Sequence, residues 1–100
     1  MRIAVTGAGG FVGRHLTARL IERGHDIRAL DTDAAAIPVG AVAISGDLAE
    51  RDVRSRLIGD GCDGLIHLAT VPGGAAEADP GASRRINVDA LYDLLEEAAA

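Results

Sequence analysis

Four glycines stand in the stretch VTGAGGFVGRHL, residues 5–16, and their spacing is that of a backbone site for an anion. A G-x-G-x-x-G register starts with Gly7 and Gly9 but then needs glycine at Val12, whereas G-x-x-G-x-x-G fits at Gly7, Gly10 and Gly13. A strand that ends in a glycine turn and opens a helix aims free backbone N–H groups and the positive end of the helix dipole at one spot. That spot suits a phosphate or pyrophosphate. Gly7 then makes the turn, Gly10 lets the backbone approach the ligand with no Cβ in the way, and Gly13 lets the helix lie close to the first strand. Phe11 and Val12 fall in the same first helical turn and are counted with the site. Thr6 and Arg14 border it; Arg14 reads equally as an assisting group or as a solvent-facing one.

A glycine turn alone is a weak signal, because an ordinary turn uses the same residues. Here it is answered by Asp31, eighteen residues after Gly13. That is close to the ~20-residue offset at which dinucleotide folds place the acid that accepts hydrogen bonds from a ribose.

These groups need particular elements to hold them. Ile3, Val5 and their neighbours form a short apolar run ending at Gly7, which predicts a buried strand from about Arg2 to Thr6. Val12, Leu16 and Leu20 recur every four residues, with Ala18 and Ile21 beside them, and predict a helix stopped by Gly24. HDIRALD returns to a strand ending at Asp31. TDAAAIPVG is too short for a full helix and is broken by Pro38. AVAIS gives a third strand, residues 50–57 a modest helix and GLIHLA a fourth strand. In the last segment Asp79 can cap, Pro80 suits the first helical position, and Ile86, Ala90 or Leu91, Leu94 and Ala98 share a face. Strand and helix alternating at this pitch predict an α/β fold, a Rossmann-type doubly wound parallel sheet of strand order 3-2-1-4. Four strands are few for a finished sheet, and the last helix carries Glu96 and Glu97 near its carboxyl end without a glycine cap. Residues 1–100 are therefore expected to be the amino-terminal portion of a larger dinucleotide-binding domain.

Composition narrows the function classes. The 100 residues are 48% hydrophobic with a net charge of −5, a globular balance that lacks the clustered positive charge of a nucleic-acid footprint. Arg51, Arg54 and Arg56 sit among Glu50, Asp52 and Asp60 and read as a solvated helix face. No run approaches the ~18 apolar residues of a membrane span, and no secretory signal follows Met1, so a cytoplasmic location is the default. Cys62 is a lone cysteine without metal-ligand spacing and reads as a packing or loop residue; no metal site is expected. His67 reads as a satisfied core histidine, His15 and His25 as surface and loop residues.

The glycine stretch, Asp31 and three further segments resemble the extended short-chain dehydrogenase/reductase family, also called the NAD-dependent epimerase/dehydratase family, over the whole chain. By that resemblance GDLAE puts Asp47 and Leu48 beside the adenine of NAD, although Asp47 also suits a turn before the next helix. The end of DGLIHLAT, here Leu68, Ala69 and Thr70, lines the cofactor, and Asn87 in INVDALYDLLEEA matches the family's active-site asparagine. The loop TVPGGAAEADP resembles the branch containing D-erythronate dehydrogenase and related sugar-acid oxidoreductases.

The family's chemistry uses a Tyr-x-x-x-Lys pair with a Ser or Thr. All ten basic residues here are arginine, and the single tyrosine, Tyr92, is followed four residues later by Glu96. No catalytic residue is assigned, and the pair is expected downstream. The resemblance implies hydride transfer on a small-molecule substrate, a sugar acid or nucleotide-sugar, and a homodimer without nucleic-acid or membrane partners. Alternatives are a nucleotide-sugar epimerase or dehydratase that recycles its NAD internally, and a non-catalytic dinucleotide sensor. Asp31 is followed by Thr32 and Asp33, with Arg28 inside the strand, so NAD is expected over NADP.

Overall fold

The structure, a computed structural model, describes residues 1–69, 79, 81, 84 and 88–99. Strands β1 (Arg2–Thr6), β2 (Asp26–Asp31), β3 (Val42–Ser45) and β4 (Gly64–His67) form one parallel sheet in the order β3-β2-β1-β4. Helix α1 (Phe11–Glu22) joins β1 to β2, a single 3-10 turn (Ala34–Ala36) and an extended stretch join β2 to β3, and α2 (Arg51–Ile58) joins β3 to β4. Helix α3 (Ala90–Ala99) follows. No helix among the described residues is long and apolar enough to cross a membrane.

Alternation along the strands builds two cores, one on each face of the sheet. Ile3, Val5, Ile27 and Ala29 point to one face, where Leu20 and Ile21 of α1 pack on them. Ala4, Leu30 and Ile44 point to the other, where they meet Val53, Leu57 and Ile58 of α2 and Ala90 and Leu94 of α3. Burial on both faces is why the central strand β1 reads as a continuous apolar run, whereas in the edge strand β3 only Ile44 is buried. Leu57 and Leu94 are fully buried, each contributing roughly 1.5–3 kcal/mol relative to an exposed position.

Two expectations are corrected. The buried face of α1 is centred one residue later than the Val12–Leu16–Leu20 stripe: Gly13 and Thr17 are buried and Val12 is 62% exposed. The smallest residues face the sheet because α1 starts almost in contact with the preceding turn. Arg54 does not lie on a solvated face; it is 5% exposed. It stands three and four residues before Leu57 and Ile58, hence on their side of α2, and it is buried there with partners described below.

Candidate functional site

The carboxyl ends of all four strands open into one cavity of about 360 Å³, lined by Gly7 and Gly10 after β1, Leu30, Asp31 and Thr32 at the end of β2, Gly46, Asp47 and Leu48 after β3, and Leu68 and Ala69 after β4. The sheet reverses its order between β1 and β4 at this place, the crevice where open parallel sheets receive ligands.

The glycine turn is shaped by close approach. Gly7 has φ +69°, and a Cβ there would meet the Leu68–Ala69 peptide at 2.7 Å. A Cβ on Gly13 would lie 2.0 Å from the Gly7 carbonyl oxygen, so α1 seats directly on the turn. Gly10 is the open position: it is exposed, and a Cβ there would meet only the Gly7 oxygen, at 3.4 Å. The Gly10 N–H donates to the Gly7 carbonyl, and the first bond of α1 runs from the Arg14 N–H to the Gly10 carbonyl. The N–H groups of Phe11, Val12 and Gly13 thus precede the helical ladder, and Gly10 supplies no side-chain cap for them. The side chains of Phe11 and Val12 are 74% and 62% exposed, so these two residues present backbone, not side chain, to the turn. Arg14 stacks over the Phe11 ring at 5.6 Å.

Asp31 is oriented from two sides. Its Oδ2 accepts from the Gly9 N–H at 2.9 Å and its Oδ1 from the Asp33 N–H at 3.0 Å. Each oxygen retains a lone pair, so two acceptor positions remain for a ligand's hydroxyls. Gly9, outside the three-glycine register, is explained here: a Cβ would lie 2.8 Å from Ala36 Cβ and 3.0 Å from the Asp31 carboxyl carbon. Arg28 donates instead to the Arg56 carbonyl, at 3.0 Å. Asp47 lines the cavity, and its Oδ1 accepts from the Ala49 N–H at 2.9 Å, which is the turn role the sequence also suggested.

Thr6, which borders the turn in sequence, is fully buried and does not line the cavity. Its hydroxyl oxygen accepts from the Leu68 and Ala69 N–H groups, both at 3.1 Å, fixing the backbone that forms the β4 wall. With both lone pairs engaged, its own proton goes to His67 Nδ1 at 2.7 Å. That count makes Nδ1 an acceptor and His67 neutral, in keeping with a pKa lowered by burial.

The structure therefore gathers Gly7, Gly10, Asp31, Asp47, Leu48, Leu68 and Ala69 around one cavity, whereas Phe11, Val12 and Gly13 do not line it and follow Gly10 as the first turn of α1. Thr70 and Asn87, and the loop of Gly73, Gly74 and Glu77, lie outside the described residues. Leu30, Thr32 and Gly46 were missed as lining residues, although each adjoins a residue that was singled out.

Residues 3–100 match the family model described as the NAD-dependent epimerase/dehydratase family. The chain belongs to this family. It is 34% identical to a 3β-hydroxysteroid dehydrogenase/Δ5→4-isomerase of Mycobacterium tuberculosis over 94% of its own length and 27% of that protein. It is 32% identical to the D-erythronate dehydrogenase of Cupriavidus necator, over 96% of this chain and 34% of the relative. Among solved structures, a UDP-glucose 4-epimerase of Thermus thermophilus in complex with NAD superposes with a TM-score of 0.84 at 26% identity, covering 96% of this chain and 33% of the other. The chain thus spans about a third or less of each of these proteins. The expectations of a Rossmann-type sheet and of this family hold, and NAD is the cofactor by which the family is defined.

Proposed function

We propose that residues 1–100 are the amino-terminal, NAD-holding part of an oxidoreductase whose catalytic Tyr-x-x-x-Lys pair lies in sequence downstream. The observation that carries this reading is the convergence of an unobstructed helix N-terminus at Gly10 and a doubly oriented carboxylate at Asp31 on one cavity. The residues fit the dinucleotide. The first-turn N–H groups of α1 would hold the pyrophosphate where only the absence of a Cβ at Gly10 leaves room, and the two free acceptor positions of Asp31 would take the ribose hydroxyls. Leu30 and Leu48 supply apolar surface for a flat base, with Asp47 at its edge. Bound NAD supplies the hydride acceptor or donor; the chain's residues bind it, orient it and exclude water from one side.

The relatives act, by their names, on a steroid, a sugar acid and a nucleotide-sugar, so what this portion shares with them is the cofactor half. For this protein we take a sugar acid or a nucleotide-sugar as the substrate class, on the branch resemblance of residues 70–80. Steady NADH production by residues 1–100 alone would contradict their assignment as a cofactor half. A homodimer through α3 is supported by the exposed apolar residues Val88, Tyr92 and Leu95, spaced along one side of that segment. The net charge of −5 supports a partner set without nucleic acid, and the cytoplasmic location stays a default of the sequence reading.

The test is cofactor choice. The Asp31 carboxylate would face the 2′-phosphate of NADP at contact distance, and Arg28, in the same strand, is committed to the Arg56 carbonyl. NAD should bind at least about tenfold more tightly than NADP, or ~1.4 kcal/mol. Titrating both into wild type and Asp31→Ala should show weaker NAD binding and a narrowed or reversed ratio in the variant. Equal wild-type affinities, or an unchanged ratio in Asp31→Ala, would remove Asp31 from the ribose.

A further inference from the structure

Arg54 is the one charged residue that is buried among the described residues, and no part of the cofactor reading uses it. Its guanidinium is engaged on two sides. Nη1 donates to the Leu48 and Ala49 carbonyls, both at 2.9 Å. Nε and Nη2 fork onto the two carboxylate oxygens of Glu97 in α3, at 2.9 and 3.1 Å. Asp93, one turn earlier in α3, stands 3.8 Å from Nη2. The Arg54 side chain is 6% exposed and Glu97 30%, so the pair is partly withdrawn from water and its loss would leave a buried charge or unmet carbonyls.

The location gives the contact its meaning. Leu48 and Ala49 belong to the short segment between β3 and α2 that carries Asp47 and Leu48 on the cavity wall. From the opposite side Arg54 holds that segment's carbonyls, and α3 holds Arg54. A planar fork spans both sets of acceptors at once; a lysine ammonium would reach one or the other.

We infer that Arg54, held by Glu97, is a positioning residue that sets affinity for the adenosine half of the dinucleotide by fixing the Asp47–Leu48 wall, so that α3 and the cofactor cavity are coupled. This rests on the proposed site, in which that wall faces the adenine. The geometry separates the two halves of the ligand. The wall beyond β3 is tied to Arg54, whereas the turn at Gly7 and the β4 wall at Leu68 and Ala69 are tied to each other through Thr6.

The experiment measures dissociation constants of ADP-ribose and of nicotinamide mononucleotide, with Tm, for wild type, Arg54→Met, Arg54→Lys and Glu97→Gln. Arg54→Met should weaken ADP-ribose by about tenfold. Arg54→Lys and Glu97→Gln should weaken it by about threefold, and nicotinamide mononucleotide should stay within about twofold in all three. Unchanged ADP-ribose affinity in the variants overturns the inference, and so does an equal loss for both probes, which is what general loosening of the fold would produce. If Arg54→Met does not fold, Arg54→Lys and Glu97→Gln carry the same comparison. A wild type that binds neither NAD nor ADP-ribose removes the proposed function itself, an outcome distinct from variants that match a binding wild type.

Discussion

Gly10 and Gly13 belong to one motif and do different jobs, and alanine at each should separate binding from folding. At Gly13 the new Cβ would stand 2.0 Å from the Gly7 carbonyl oxygen, 2.9 Å from the Gly7 carbonyl carbon and 3.0 Å from Ala8 Cα, all of them backbone. Reaching an ordinary 3.4 Å contact means moving α1 off the turn by about 1.4 Å. That movement would unseat Thr17, Leu20 and Ile21 from the sheet. Overpacking of this kind costs roughly 1–3 kcal/mol, and the lack of any yielding side chain puts Gly13→Ala near the upper end. For residues 1–100 melting as one unit, at about 4–8 °C per kcal/mol, Tm should fall by about 12–24 °C.

At Gly10 the backbone has φ −72° and ψ 175°, open to alanine, and the nearest atom to a Cβ is the Gly7 oxygen at 3.4 Å. Alanine is a poorer N-cap than glycine, while its smaller unfolded-state entropy offsets this by about 0.4–1 kcal/mol, so stability should change by less than about 0.5 kcal/mol. The methyl would nevertheless stand where a phosphate must come within the 2.7–3.2 Å of an N–H···O bond. NAD affinity should drop at least about tenfold. Thermal melts and NAD titrations on the two variants check both halves. A Gly13→Ala protein that melts like wild type would refute the contact argument, and a Gly10→Ala protein with wild-type affinity would show that the turn does not hold the pyrophosphate.

Two further outcomes concern groups behind the site. The Thr17 hydroxyl is fully buried without a hydrogen-bond partner among the described residues; Thr17→Val should therefore raise stability by about 1 kcal/mol and Thr17→Ser should not, as denaturant midpoints would show. His67 has its pKa lowered by burial, so between its folded pKa and the ordinary 6.5 the unfolded chain binds more protons, and stability should be lost as the pH falls below about 6.5. Protonation would also set a donor against the Thr6 hydroxyl. His67→Asn, whose Oδ1 can take the place of Nδ1 as acceptor, should flatten the change in unfolding free energy between pH 7.5 and 5.5, and an unaltered slope would place that titration elsewhere.

β1 was legible because burial on both faces writes itself as an unbroken apolar run, and both β1 and β2 fall on the expected residues. The turn after β1 and the acid after β2 were legible because glycine and a carboxylate are the residue types those positions require. The face of α1 was misjudged because hydropathy favoured Val12 where geometry required the smallest side chains, Gly13 and Thr17. Arg54 was illegible for a different reason. Its acceptors are two backbone carbonyls, which no sequence displays, and a glutamate 43 residues away. A buried arginine among neighbouring acids cannot be told from a solvated one until the fold brings those carbonyls to it.

The fourth glycine resolves why this turn carries more of them than its register asks for. Gly7, Gly10 and Gly13 serve the turn, the ligand side and the seat of α1. Gly9 serves Asp31: its N–H fixes one carboxylate oxygen, and the missing Cβ is what lets the 3-10 turn at Ala36 and the Asp31 side chain crowd against it. In the proposed site, the backbone that would offer N–H groups to a pyrophosphate thus also orients the acceptor for a ribose. The spacing between the two parts of the ligand is therefore set by one hydrogen bond within the protein before any ligand arrives, and neither α1 nor β2 can shift alone without breaking it. On the proposed function, affinity for a dinucleotide would then depend on a distance held by the fold, with Asp31 at the end of β2 and bonded across to the turn instead of on a flexible loop.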